Sequence, residues 1–150
     1  MRIRVAFAAL VVAFGIAAAG CGAVNHMSVS DGNTTVGKAL FLHGSSPACG
    51  SCHTLAAAGS TGVIGPNLDA AFGPVRNCQG FTDVESTIVN LIRGQIAYAD
   101  ENPETGTPQA PNPGMPANLF TGQKAKDVSA YVASVAGLHW NCKTGTEAAA

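Results

Sequence analysis

The chain is short of charge. Lys, Arg, Asp and Glu together make up 11% of its 150 residues, and eight basic side chains stand against nine acidic ones for a net charge of −1. Nowhere do the basic residues gather into the stripe that a phosphate backbone requires, so nucleic acid is not an expected partner. Strand signals are missing too: no stretch sustains two-residue alternation, and no Asn-Gly or Asp-Gly turn sits between apolar runs. This excludes a sheet-built fold. There is no internal repeat, no glycine-rich phosphate loop and no nucleophile–base pair, which leaves an enzyme of the common hydrolytic or phosphoryl-transfer kinds without its parts. The one long apolar run, Val5 to Ala19, is too short for a comfortable permanent span of a bilayer.

That run follows Arg2 and Arg4 and ends in small residues, so residues 1–20 read as a secretory signal. Without it about 130 residues remain, enough for one modest core. Removing Arg2 and Arg4 leaves six basic against nine acidic side chains, a net −3 on the exported chain. Export sets an oxidising compartment in which disulfides persist. The five cysteines are Cys21, Cys49, Cys52, Cys78 and Cys142, an odd number, so one needs a fate other than pairing. Cys21 fits that role, because "AAAGC" resembles the lipobox of bacterial lipoproteins, with Ala18 where leucine is usual. Lipidation of Cys21 implies a protein anchored to the outer, extracytoplasmic face of the bacterial cytoplasmic membrane. The alternative is cleavage after the Ala17–Ala19 stretch, which leaves a secreted protein with a free thiol. Residues 21–33 then form the lipid anchor and a flexible tether, with His26 and Met27 solvated; a linker of this length spans about 20 Å root-mean-square.

Three segments carry helical period. "TTVGKALFLHG" sets Gly37, Leu40, Phe41 and Gly44 on one face, with Thr34 or Thr35 as cap. "TDVESTIVNLIRGQIAY" opens with Thr82 and Glu85 in the capping-box arrangement, and its stripe runs Val84, Ile88, Leu91, Ile92 and Gln95/Ile96. "TGQKAKDVSAYVASVAG" carries Val128, Tyr131, Val132, Val135 and Ala136, with Gly137 as its stop. Between them, residues 59–81 and 99–116 are rich in Gly, Pro and Asn and read as long loops. Loops of this length need something to pack against, and three short helices offer too little. A large apolar cofactor at the centre would supply it.

"ACGSCHTL" places Cys49 and Cys52 three positions apart with His53 directly after. Zinc, a redox dithiol and a covalently attached haem all use closely spaced cysteines. A zinc ribbon needs a second Cys-x-x-Cys or a paired His motif, and Cys78 and Cys142 stand alone, 64 positions apart; a Cys₄ zinc site from Cys49, Cys52, Cys78 and Cys142 stays open as a structural alternative of unusual spacing. A thioredoxin-like dithiol belongs to a βαβ pattern that is lacking here. Neither uses the histidine, whereas haem attachment uses all three: two thiols add across the porphyrin vinyl groups and the imidazole becomes an axial ligand. A thioether is a known second axial ligand in electron-carrying haems. Met115, in "NPGMPANLF", is flanked by Pro113-Gly114 and Pro116, so its backbone is restrained and a gap-filling role is the weaker reading.

Taken together, "GKALF", "CGSCH", "GPNL", "FGPVR" and "DVSAYV" resemble, in that order, motifs of the class I c-type cytochromes across most of residues 34–137. The resemblance implies an all-α, small cytochrome c fold: three main helices and long loops around one covalent haem c, occupying 34–142 with a disordered tail at 143–150. It implies that Gly37 and Phe41 cross near Val128 and Tyr131, that the Pro66 carbonyl accepts the Nδ1 proton of His53, and that Arg76 approaches a haem propionate. The axial ligands would be His53 and Met115. Trp140 lies past the last helix and takes no family role. Cys78 and Cys142, which are no family hallmark, are expected to form a disulfide that pins the tail to the loop after Arg76. His43 and His139 read as surface or packing residues.

These expectations converge on an electron carrier rather than an enzyme. It would pass single electrons between redox protein partners in or at the same membrane, respiratory complexes or dehydrogenases. The alternatives are an electron-entry subunit of one enzyme complex, or a haem peroxidase or gas-sensing domain in which Met115 dissociates.

Overall fold

A computed structural model of the chain describes residues 27–98 and 114–147. The signal segment, Cys21, His26 and the acidic and proline-rich stretch 99–113 lie outside the described residues. Within them run α1 (Thr34–His43), α2 (Cys49–Cys52), α3 (Leu68–Asn77), α4 (Val84–Ala97) and α5 (Gly122–Val135). Two antiparallel strand pairs accompany them: β1 (Thr54–Leu55) with β2 (Ser60–Thr61), and β3 (Trp140–Asn141) with β4 (Thr146–Glu147). Helices dominate. The strands, which the sequence does not announce, are two residues each, too short for alternation to register.

The hub is α5, which is buried along most of its length from Ala125 to Ala133. It accepts α1 on one side and α4 on another. Where α1 crosses, Gly37 lies so close that an added Cβ would strike the carbonyl of Asp127 and come 2.7 Å from the Cβ of Tyr131. Phe41, 1% exposed, fills the space beside that approach, its ring edge-on to Tyr131 with centroids 6.1 Å apart. The crossing thus falls on the residues the resemblance implied. α4 contributes Ile88, Val89, Ile92 and Ile96 to the same core. Leu91 is half exposed instead, because the buried stripe turns through Val89 rather than through Leu91.

Both helix starts differ from expectation by one residue. The side chain of Asn33, not Thr34 or Thr35, accepts from the amide of Val36. Asp83, not Thr82, accepts from the amide of Ser86. The larger correction is α3, which occupies what reads as loop. Asn67 caps it by accepting from Ala70 N–H, and Pro74 sits in its interior. Leu68, Phe72 and Val75 turn one face of the helix to the core, and Gly73 faces Trp140 and Gly137 at a distance no side chain would permit.

The N-terminal stretch is not a free tether from Met27 onward. Ser28 and Asp31 form a capping box around a short 3-10 turn, Val29–Asp31, and Met27 and Val29 pack on the core. At the other end, β4 (Thr146–Glu147) pairs with β3 past Lys143. The Cys78–Cys142 disulfide, with Cα atoms 5.7 Å apart, fastens the end of α3 to this hairpin. No described helix is long and apolar enough to cross a membrane.

Candidate cofactor site

Cys49 and Cys52 sit at the two ends of α2, one turn apart and therefore on one face. Both sulfurs are free thiols and both residues are half buried. His53 follows at the helix end, and its N–H donates to the carbonyl of Cys49 at 2.9 Å. The chain then folds back, and Gly62 and Gly65 pass directly against this motif. A Cβ on Gly62 would lie 2.5 Å from the carbonyl carbon of Cys52; one on Gly65 would lie 2.5 Å from Cε1 of His53. Only glycine fits at either position without displacing the histidine or its backbone.

The imidazole is oriented by one hydrogen bond. Nδ1 of His53 lies 2.9 Å from the carbonyl oxygen of Pro66. A carbonyl only accepts, so Nδ1 carries the proton and the lone pair of the neutral ring is on Nε2. The surrounding backbone is fixed as well. The hydroxyl of Thr54 donates to the Gly62 carbonyl at 2.8 Å, and that of Ser60 donates to the His53 carbonyl at 2.9 Å.

Asp69 completes the frame and was not singled out from the sequence. It is 3% exposed, and its carboxylate accepts from Ala56 N–H at 2.8 Å and from Gly137 N–H at 3.0 Å. It therefore joins the segment after His53 to the C-terminal end of α5. Nothing in the sequence marks it, since an Asp in a helix's first turn ordinarily reads as a solvated charge near the helix dipole.

The remaining expected residues fall elsewhere. Met115 is half buried and packs against the apolar cluster that Cys49 also touches. Arg76 donates through Nε to the Ala136 carbonyl at 2.8 Å and through Nη2 to the Ala133 carbonyl, and Nη1 pairs with Glu85 at 3.5 Å. It caps α5, a different use from the propionate contact the resemblance implies. His43 and His139 are exposed, and Trp140 packs on Gly73. Met27, expected in solvent, accepts from the guanidinium of Arg93 through its sulfur.

The donor set narrows the chemistry. Cys78 and Cys142 are bonded to each other, so a Cys₄ zinc site cannot form. Among the described residues no group of three or more His, Cys, Asp or Glu is arranged to hold a metal ion. Burial pushes the Cys49 thiol up to about 11. A reactive dithiol has the opposite property, a lowered thiol pKa that supplies thiolate. What remains is a pair of thiols on one helical face and an imidazole with its Nε2 lone pair available. Tyr131 adds a hydroxyl that is buried with no hydrogen-bond partner.

No protein-family model matches the chain, and no curated protein matches it. Among solved structures it is similar to the c-type cytochrome SorU from Sinorhizobium meliloti, with 28% sequence identity over 69% of this chain and 91% of that one, and a TM-score of 0.47.

Proposed function

We propose that the chain is an exported, lipid-anchored monohaem c-type cytochrome that carries single electrons between respiratory or dehydrogenase partners at the same membrane. The observation that carries this reading is the His53 imidazole, fixed by the Pro66 carbonyl at 2.9 Å and walled by Gly65, directly after two free thiols one helical turn apart. When bound, the haem supplies one-electron exchange between Fe(II) and Fe(III).

The chain's own residues do the rest. Cys49 and Cys52 hold the group covalently. Pro66 keeps the proton on Nδ1 of His53 and raises the basicity of Nε2, which would bind the iron. Met115 would offer a thioether as the other protein ligand, a donor that favours Fe(II) and raises the potential. The Cys78–Cys142 disulfide fits an oxidising compartment. There, two neighbouring thiols that are not oxidised to each other require another fate, and thioether attachment provides it.

The test is Met115→Ala in protein matured with its haem. The variant should keep its haem, show a lower reduction potential and bind carbon monoxide when reduced, while the parent protein binds it poorly. Rapid, tight binding by the parent would favour a gas sensor or peroxidase. An unchanged spectrum and potential in the variant would remove Met115 from the ligand set.

A further inference from the structure

The twelve residues after Cys21 do not form one continuous leash. From Met27 to Asn33 the chain is stitched across α4 and the first two turns of α5. Met27 Sδ accepts from Arg93 of α4. Gln123 of α5 donates to the Asp31 carbonyl at 3.1 Å, and Asn33 N–H donates to Asp127 Oδ1 at 2.9 Å. Between them Gly32 lies flat on α5, where a Cβ would stand 2.5 Å from the Lys126 carbonyl oxygen and 2.7 Å from the Cβ of Ala130. Six Cα–Cα steps separate Cys21 from Met27, where the strap begins, a reach of at most about 20 Å.

The strap lies on α5 from its N-terminal end to Ala130, whereas the cofactor segment meets it past its C-terminal end and reaches α1 through Lys38, which donates to the Ala57 carbonyl. Strap contacts fall on Gln123, Lys126, Asp127 and Ala130. The segment after His53 is tied by Asp69 to Gly137, just past the helix end. Gln123 and Gly137 are separated by about 20 Å at 1.5 Å per residue. Around the strap, Lys124 is exposed and Lys126 and Arg93 are half exposed, cations suited to a headgroup layer.

We infer that the strap orients the anchored domain, turning the N-terminal end of α5 toward the lipid and the Cys49–His53 segment away from it. Electron partners then approach from the aqueous side, either soluble proteins or the protruding domain of a membrane complex. This inference rests on lipidation of Cys21, part of the proposed function.

The experiment uses full-length, haem-loaded protein in vesicles of mixed zwitterionic and anionic phospholipid with a headgroup spin label. A fluorophore is placed at Lys124→Cys or at Ala57→Cys, an exposed position in the cofactor segment. Quenching should be several-fold stronger at position 124 than at 57, and Gly32→Leu, which lifts the strap, should reduce that contrast. Equal quenching of the two sites in protein that floats with the vesicles overturns the orientation. Protein that does not float, with an N-terminal mass lacking acyl chains, overturns the anchor itself.

Discussion

The α1–α5 crossing and the segment from Gly44 to Pro66 are neighbours in the chain but are held by different forces. The crossing closes through apolar contact: Gly37 admits the backbone of α5, and Phe41 and Tyr131 fill the adjoining space. The segment buries little beyond Leu55 and Ser60 and leaves Val63 88% exposed. It keeps its course through hydrogen bonds, from His53 to Pro66, from Thr54 to Gly62 and from Ala56 to Asp69. One region is a scaffold complete in itself. The other is a frame set by hydrogen bonds, with its thiols and imidazole brought together at one end of a short helix.

Four variants sharpen that contrast. The largest effect is expected from replacing Cys78 and Cys142 with alanine. Their bond spans 64 residues, and opening a loop of that size costs about 4 kcal/mol in the chain-entropy model. Denaturant unfolding of the double variant should show that loss, and an unchanged midpoint would mean that the hairpin is held by other contacts. Next, Gly37→Leu drives a side chain into the Asp127 backbone and should destabilise by about 3 kcal/mol. It should do so whether or not the cofactor segment is intact, as thermal unfolding can show.

Asp69→Asn is expected to cost about 2 kcal/mol, because an amide has a single acceptor oxygen for the two N–H groups that the carboxylate serves. Its signature is local: hydrogen exchange should quicken at Ala56 and Gly137 while the α1 amides stay protected. Uniform loss of protection would erase the distinction between scaffold and frame. Smallest of all, Leu91→Lys should change stability by no more than about 0.5 kcal/mol, since the residue is half exposed.

Leu91 also shows where sequence reasoning reaches its limit. A helical stripe about one-third of the circumference wide can be centred on either side of Ile88 and Ile92, and only packing against α5 selects Val89 over Leu91. The crossing was legible because a glycine and an aromatic four positions apart have a packing meaning by themselves. The Cys49–His53 motif was legible because its spacing is chemically specific. α3 was hidden: Gly73 and Pro74 are helix breakers by propensity, and the helix depends on Asn67 at its cap and on Trp140 and Gly137 arriving from far along the chain. Asp69 and the bonds that Arg76 makes were not foreseen for the same reason. Their partners, Ala133, Ala136 and Gly137, are about 60 residues away in sequence, and local pattern holds no information about them. The docking of Met27 likewise needs Arg93, 66 positions distant.

The central claim is that Cys49 and Cys52 would hold a haem covalently and His53 would bind its iron. The most direct measurement is the intact mass of the chain matured in a host with haem-ligation machinery, compared with the same chain bearing Cys49→Ser and Cys52→Ser. The account predicts the polypeptide mass plus one haem for the first, surviving denaturation, and no retained haem for the second. A first chain that weighs only its polypeptide and any acyl chains would contradict it.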